Sequence, residues 1–580
     1  MSTVLTAQEP SAKYLVQMQP PLVRHFDLIA QAPGGVARLR ELILTLAVQG
    51  KLVPQDPSDE PASELLQKIR TEKARLIAEG KIKRSKLQIE INVDEKPFVT
   101  PTDWAWIRLG ESMEMLNGKA FKPSDWLPSG LPIVRIQNLN KLEASFNYCD
   151  PETISEKNKI NDETFLISWS GTPGTSFGAF IWQRGAAALN QHIFKCELIG
   201  HAFVPEFLKL SINSQLNVLI AKAQGGVGLQ HVTKGTLESL VLVLPPLAEQ
   251  ARIVTRVEEL MQLCDALEAS GQLEAQQHAQ LVHTLLGTLT QSETPKALAD
   301  NWQRIATHFD VLLDCPEAVD ALEQTILQLA VRGLLVPQDP TDEPASVLLQ
   351  KIRTEKDHLI AQGKIKRDKL LPAITDEEKL FQLPQKWEWT SLVGVALNGP
   401  TNGVSPKPQE LPTNVRCLSL SATTQGVFKP EFFKYVDVES RVAEQFFLKT
   451  GDLLIQRGNS IDYVGIAAVY DGPDDAYIYP DLMMRLQLSK LVNTEFIHIA
   501  LVCIEGRSYF RNNATGTQGT MPKVNQATVA GAPIPLPPLD EQSRIVSSVN
   551  ELLSLCADLR QRLTAGQAVQ SHLADALVTG

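Results

Sequence analysis

Few residues of this 580-residue chain are spaced for chemistry. A loop that takes a flipped adenine for methyl transfer needs an asparagine and an aromatic residue beside tandem prolines. The tandem prolines here lie in QPPL (19–22) and in two LPPL segments (244–247 and 536–539), with neither neighbour. A phosphate cradle needs G-x-x-x-x-G-K-[ST], so that backbone N–H groups and a lysine converge on the oxyanion. Gly118–Lys119 is followed by Ala120, and no lysine completes the glycine-rich SGTPGTSFG (170–178), which reads as a turn loop. Pro480–Asp481 lacks the acidic-x-lysine partner of a nuclease, and neither H-E-x-x-H nor G-x-S-x-G occurs. The ten histidines are scattered; His25 and His308 recur at equivalent places and suit capping or packing. These residue types favour a protein that binds over one that reacts.

The elements that would position such residues must form several domains, because one core does not grow to 580 residues. Hydrophobic residues make up 43% of the chain and mean hydropathy is -0.08, with no apolar run of the roughly 18 residues that span a bilayer. The N-terminus, MSTVLTAQEPSAKYLVQ, has no basic stretch followed by an apolar core. Seven cysteines, odd in number and without a C-x-x-C pair, suit reduced thiols in a cytoplasm and argue against structural zinc. Net charge is -11; residues 101–243 carry 12 Lys/Arg against 13 Asp/Glu, and 384–535 carry 13 against 14. Any phosphate-binding face must therefore be local or supplied by a partner.

The chain is written twice. HFDLIAQAPGGVARLRELILTLAVQGKLVPQDPSDEPASELLQKIRTEKARLIAEGKIKRSK (25–86) returns at 308–369 with 41 identities in 62 positions, at a constant offset of 283. The same offset carries Pro101, Trp104 and Trp106 onto Pro384, Trp387 and Trp389. LPPLAEQARIVTRVEELMQLCDALE (244–268) returns as LPPLDEQSRIVSSVNELLSLCADLR (536–560), at offset 292. The stretches between the matched blocks barely resemble each other. Drift after duplication would have blurred flanks and middles alike.

The LPPL blocks read as helix starts, with Glu249 and Glu541 at the positive end of the dipole. Ile253, Val257, Leu260, Cys264 and Leu267, and likewise Ile545, Val549, Leu552, Cys556, Leu559 and Leu563, recur every 3.5 residues and form a seam that another helix must cover. The seam turns polar at Gln276–His278 and apolar residues resume at Leu281, Leu285 and Leu289, so helices are expected at about 248–290 and 540–578. Each 62-residue block reads as two helices broken at VPQDP, the second amphipathic through Leu65, Leu66, Ile69 and Leu76. The run KIRTEK with GKIKR reads as a solvated face or a basic contact surface. In the middles, LPIVRIQNL (131–139), GDLLIQRG (451–458) and VGIAAVY (464–470) read as strands between turns. The expected architecture is α+β, with two globular domains separated by long helices, partly coiled-coil, and an internal pseudo-two-fold repeat. Its segments are a helical region 1–100, a globule 101–243, a central helical region 244–383, a second globule 384–535 and a terminal helix 536–580.

The LAVxGxLVPQDPxDEPASxLLQKIR blocks (46–70, 329–353), the W-x-W that precedes each middle and the PPLxEQxRIV blocks resemble the specificity subunits of Type I restriction-modification systems. GGVGLQHVTKGTLESL (225–240) and GTQGTMPKVNQATVAGAPI (516–534) resemble the ends of that family's recognition domains, and LKTGDLLIQRGN (448–459) one of its strand-loops. The first copy departs there: FLISWSGTPG (165–174) lacks the Gly-Asp, which leaves that loop's geometry open. The resemblance implies no catalysis by this chain. It implies two target-recognition domains, each reading one half of an asymmetric, split site on double-stranded DNA. Two methyltransferase subunits carrying S-adenosylmethionine would bind the helices, and two motor-nuclease subunits using ATP and magnesium would join for cleavage. Repeated flanks give one chain equivalent surfaces for two identical partners.

Side chains that could reach base edges in the major groove, chosen by type and loop position, are Lys119, Lys122, Gln137, Asn138, Ser170, Thr172 and Gln191 in the first domain. In the second they are Asn402, Ser405, Lys407, Arg457, Asn459, Tyr463, Gln518 and Lys523. A protein-binding adaptor and a specificity module of another DNA-modification or phage-defence system remain alternatives. No membrane partner is expected.

Overall fold

The computed structural model describes residues 26–82, 90–171, 177–215, 224–226, 229–367, 374–516 and 521–579. The chain divides into two units, 1–272 with 569–580, and 273–568. Each repeat block, the middle after it and the start of the following helix thus belong to one unit. The division falls inside helices and not at the segment borders suggested by sequence.

In the first unit the block folds as α1 (Gly35–Val48) and α2 (Ala62–Ala78). VPQDP separates them, because proline removes the N–H that would continue the helix. Leu65 and Ile69 are buried, with Leu66 and Leu76 packed at the edge of the same core. The following helix, α3 (Leu247–Thr290), buries Ile253, Val257 and Cys264 here. In the second unit α4 (Pro316–Val331) and α5 (Ala345–Ala361) repeat the pair, and α6 (Leu539–Thr579) repeats α3. The resumed apolar stripe of α3 keeps Leu289 buried and Leu285 packed at the core's edge, but Leu281 is exposed, and Val282 and Leu286 take the buried places one residue later. Between the two stripes, Glu268–Gln277 is exposed throughout.

The identical flank motifs are one interlocking clamp. Glu249 is not a solvated dipole partner. It is buried and accepts hydrogen bonds from Trp104 Nε1 (2.9 Å) and Gln55 Nε2 (2.7 Å). Glu541 does the same with Trp387 (3.0 Å) and Gln338 (2.5 Å). Gln250 bonds the carbonyls of Ala202 and Pro245 and accepts from Val204 N; Gln542 bonds Pro537 O and accepts from Asn493 N. Arg252 holds Asp59 through two nitrogens, as Arg544 holds Asp342. The EQxR triplet thus ties VPQDP, DEPAS and the first W of W-x-W to one helix start. The motif glycine belongs to the same clamp. Gly50 has φ 71°, and a Cβ there would lie 2.6 Å from Pro101 and 2.9 Å from Trp104, as Gly333 would approach Pro384 and Trp387.

The middles share a topology that their sequences hide. In the first, β1 (Ala105–Arg108) opens the domain and β10 (Val241–Leu244) closes it, paired antiparallel from Ala105↔Leu244 to Arg108↔Val241. Between them run β2 (Met113–Asn117), β3 (Leu131–Val134), β4 (Asn147–Cys149), β5 (Lys159–Ile160), β6 (Phe165–Ser168), β7 (Gly178–Ile181), β8 (Ala187–Leu189) and β9 (Ile193–Leu198). One sheet has the order β2-β9-β6-β7; a second, β4-β3-β8-β5, has β3 and β8 parallel; and a third pairs the short segments Gln224–Gly226, Leu229–His231 and Ser170–Gly171. The second middle repeats the first sheet with β12 (Ala396–Asn402), β17 (Met483–Leu488), β15 (Leu453–Gln456) and β16 (Ala467–Val469), in that order. Its other sheet carries β13 (Val415–Leu418) and β14 (Phe433–Val436), and β11 (Glu388–Ser391) pairs with β18 (Pro533–Leu536) as opener and closer. The fold is α+β.

The loop left open by the missing Gly-Asp turns out to be the same turn. Gly451 N bonds Tyr470 O and Asp452 Oδ2 accepts from Lys449 N; in the first copy Glu163 N bonds Trp182 O and Thr164 Oγ1 accepts from Asn161 N. Thr164 replaces the aspartate as acceptor, and Glu163 takes the glycine's left-handed backbone at φ 64° (Gly451, φ 91°). A side chain there is strained. Glu163→Gly is expected to stabilise the first unit by about 0.5–1 kcal/mol in denaturant unfolding, after the unfolded chain's added freedom is subtracted. Gly451→Ala should destabilise the second by about 1 kcal/mol.

Candidate nucleic-acid interface

In each middle, the loops after several strands converge on one edge. In the first, Lys119 N bonds Leu189 O (2.8 Å), Asn190 N bonds Val134 O (3.1 Å) and Trp169 N bonds His192 O (3.4 Å). The residues after β2, β3, β6 and β8 are thereby neighbours. Gly118 allows the crossing, because a Cβ there would lie 2.2 Å from Asn190 O. In the second, Gly403 N bonds Met483 O, Arg457 N bonds Leu482 O (2.7 Å), Asn459 N bonds Pro522 O and Val524 N bonds Arg457 O (2.8 Å). Gly458 bridges to Lys523, as Ser170 pairs with His231 in the first copy.

This edge collects most of the sequence candidates. Lys119 lies on it with its ammonium 5.3 Å from the Phe121 ring centre, and Gln191 is exposed beside His192. Gln137 is exposed on the short helix Ile136–Asn140 that follows β3. Lys122 is exposed at the turn Pro123–Asp125. Asn138 is different: it is buried, its Oδ1 accepts from Arg135 N, and its Nδ2 donates to the carbonyls of Ala144 and Ser145. It shapes the loop and ends β3 at Val134, so the strand expected over 131–139 gives way to a helical turn. Ser170 lies in a two-residue strand on this edge; its side chain, Thr172 and Gln518 lie outside what the structure describes.

In the second domain Ser405 is bound to Asp481, and Asn459 spends both ends locally, on Gln456 Oε1 (2.7 Å) and Ser460 N (2.8 Å). Lys407, Lys523 and Tyr463 are exposed. Among the described residues, the buried Oδ1 of Asn402 and the Nε of Arg457 have no hydrogen-bond partner. Arg135, absent from the sequence candidates, shares that trait: its Nε is buried without a partner among the described residues. Unspent polar atoms held on a loop edge are groups that a ligand can satisfy, with an acceptor for the two Nε–H groups and a donor for Asn402 Oδ1. Each arginine directly follows a four-residue strand, LPIV and LLIQ, but an arginine after a short apolar run is no signal by itself in sequence.

The KIRTEK run offers less free charge than it suggested. Lys68 pairs with Glu60, Arg70 with Glu111 (3.2 Å), Arg75 with Glu72 and Glu79, and Lys73 donates to Gly110 O; in the second copy Lys351 pairs with Glu343 and Lys356 donates to Val393 O. Arg70, Lys73 and Lys356 secure the second block helix to the start of its middle, and the other cations pair within the block. The group His278, Asp314 and Cys315 brings three metal-type ligand atoms within 4.8 Å of one another, away from these edges. No described helix is long and apolar enough to cross a membrane.

The family described as Type I restriction modification DNA specificity domain matches residues 101–276 and 418–565. The specificity subunit of the Type I restriction enzyme EcoEI of Escherichia coli is 33% identical over 564 residues, covering 94% of this chain and 93% of its own. That of EcoAI, also from Escherichia coli, is 36% identical over 565 residues, with coverage of 94% and 93%. A chain of a solved structure, "Structural basis underlying complex assembly and conformational transition of the type I R-M system", aligns over 83% of this chain and 98% of its own at 17% identity, with a TM-score of 0.47. Two domain matches in one chain, on the two middles that the repeated flanks enclose, and near-full-length identity above 30% make this chain a member of the family of Type I restriction-modification specificity subunits.

Proposed function

We propose that this chain reads a bipartite, asymmetric site on double-stranded DNA, one half through the loop edge of each middle, and presents that site to partner subunits that methylate adenine or cleave. The observation that carries this reading is the pair of loop edges on unlike sequences: Lys119 and Asn402 stand at the ends of the matching strands β2 and β12, Arg135 and Gln191 follow β3 and β8 in one middle, and in the other Arg457 follows β15 with Lys523 bridged to Gly458. Like position with unlike chemistry is what two different half-sites require. Two modification subunits holding S-adenosylmethionine would take the two equivalent flank surfaces, and two motor-nuclease subunits holding ATP and magnesium would join for cleavage, in the cytoplasm. Partners would supply much of the phosphate contact that a chain of net charge -11 does not.

The test is methylation mapping in a host that expresses the chain with its modification subunit. Arg457→Ala should relax one half-site and leave the other, and Arg135→Ala the reverse, each by about 1–3 kcal/mol of discrimination. A contiguous motif, or both halves altered by either variant, would reject the assignment.

A further inference from the structure

Each block helix meets the following long helix through a cluster of one arginine and two acids, and the two clusters are reversed in polarity: the arginine sits on the block helix in one unit and on the long helix in the other. In the first unit Arg40, on α1, reaches Asp265 (2.6 Å) and Glu268 (2.8 Å) on α3. In the second, Arg560, on α6, reaches Asp320 (2.6 Å) and Glu323 (2.7 Å) on α4. The repeat offsets make the reversal complete. Positions 37 and 40 are Ala and Arg, and their equivalents 320 and 323 are Asp and Glu; positions 265 and 268 are Asp and Glu, and their equivalents 557 and 560 are Ala and Arg. Two facing positions have exchanged sign, 40 with 323 and 268 with 560, and beside each the aspartate has moved to the other helix.

The other polar contacts of this interface cannot tell one copy from the other. The Glu–Trp, Glu–Gln and Arg–Asp clamps are the same residues in both units. A block laid on the wrong long helix would satisfy every one of them. The clusters object: α1 on the cluster region of α6 faces Arg40 with Arg560, and α4 on that of α3 faces Asp320 and Glu323 with Asp265 and Glu268, while Arg38, which meets Ser571 and Asp575 at the far end of α6, adds a second copy-specific contact. Specificity between nearly identical surfaces is obtained by such repulsion against the wrong pairing. We infer that these two clusters are a pairing code, which seats each repeat block on the cluster region of its own copy's long helix and rejects the equivalent stretch of the other copy's helix in a second chain of this protein. The residues are partly exposed, with Arg40 at 30% and Arg560 at 33%, so each ion pair is worth only roughly two- to five-fold in an equilibrium constant. The attraction within each correctly seated cluster and the like-charge repulsion of the exchanged seating act in the same direction, and together they set the preference.

The test uses the full chain. Ala37→Asp/Arg40→Glu/Asp265→Ala/Glu268→Arg gives the first unit the second unit's pattern, which keeps an ion cluster in each unit and erases the difference between them. Both proteins are refolded from denaturant at low salt, and the monomer fraction is read by size exclusion with light scattering. The expected result is a thermal midpoint like that of the unsubstituted chain, a several-fold larger exchanged or multimeric fraction, and closure of that gap in 1 M salt, where screening acts within about 3 Å. Ala37→Asp/Arg40→Glu alone should lower the midpoint, and the four-site variant should regain it. Equal monomer fractions for the four-site variant and the unsubstituted chain would overturn the code. So would a gap that survives 1 M salt, or a two-site variant with an unchanged midpoint.

Discussion

Glu541→Ala is expected to destabilise the second unit by about 2–4 kcal/mol, and Glu249→Ala the first by as much. Each substitution leaves a buried indole N–H without an acceptor, at about 1–3 kcal/mol, and removes packing from a closed site, while the exposed glutamine amide keeps its bond to the carbonyl of Gly50 or Gly333. Glutamine in place of glutamate keeps one acceptor oxygen and should lose less than half of that. Burial pushes both carboxyls above their ordinary value, against the lowering from the tryptophan and glutamine hydrogen bonds and from the nearby arginine. A raised pKa in the folded state means that the folded protein binds more protons. The associated stability is therefore fully present below about pH 4.3, the free glutamate value, and is lost as pH rises through the folded value. Urea unfolding of Glu541→Gln across that window should lack this dependence. An alanine variant with unfolding like the unsubstituted chain would remove the clamp from the account.

Lengthening α3 and α6 by seven residues each, after Gln272 and after Thr564, is expected to widen the unread spacer of the recognised site by about three base pairs. A heptad adds about 10 Å of helix, and bases advance about 3.4 Å. Seven residues are close to two turns, so the helix faces drift by only about 20°. Both helices must grow, because the end of α6 is held in the first unit, where Asp575 pairs with Arg38 and Ala574 is buried with Ile29 and Leu39. The chosen positions lie in or beside largely exposed stretches, so the insertion displaces little packing. Methylome sequencing should find both half-sites unchanged and farther apart. Methylation at the old spacing would remove the helices from their role as a ruler.

How much of this was legible in the sequence depended on the range of the interactions. The long helices were, because the 3.5-residue seam and the LPPL starts are local: α3 and α6 begin and end within a residue or so of expectation. The role of Glu249 was not, because its partners lie 145 and 194 residues away, and a glutamate near a helix start looks alike whether solvated or buried. The strands of the middles are two to seven residues long, too short for alternation to mark their ends. The run 131–139 was therefore read as one strand, although the Asn138 side chain turns it after Val134. Loop candidates were chosen by residue type, which cannot separate Asn138, spent on its own loop, from Asn402 and Arg457, which retain unsatisfied atoms. Arg135 was overlooked because a single arginine after an apolar run carries no pattern until the fold places it beside Asn190.

The two-strand closures of the middles, β1 with β10 and β11 with β18, carry an evolutionary consequence. Each is held by main-chain hydrogen bonds over four residue pairs, and such bonds are indifferent to the side chains they join. A foreign middle that ends in two short extended segments can dock into the same socket while the EQxR clamp stays as it is. New specificities can therefore arise by wholesale exchange of cassettes rather than residue by residue, and lineages that share these flanks can trade them without redesigning the scaffold.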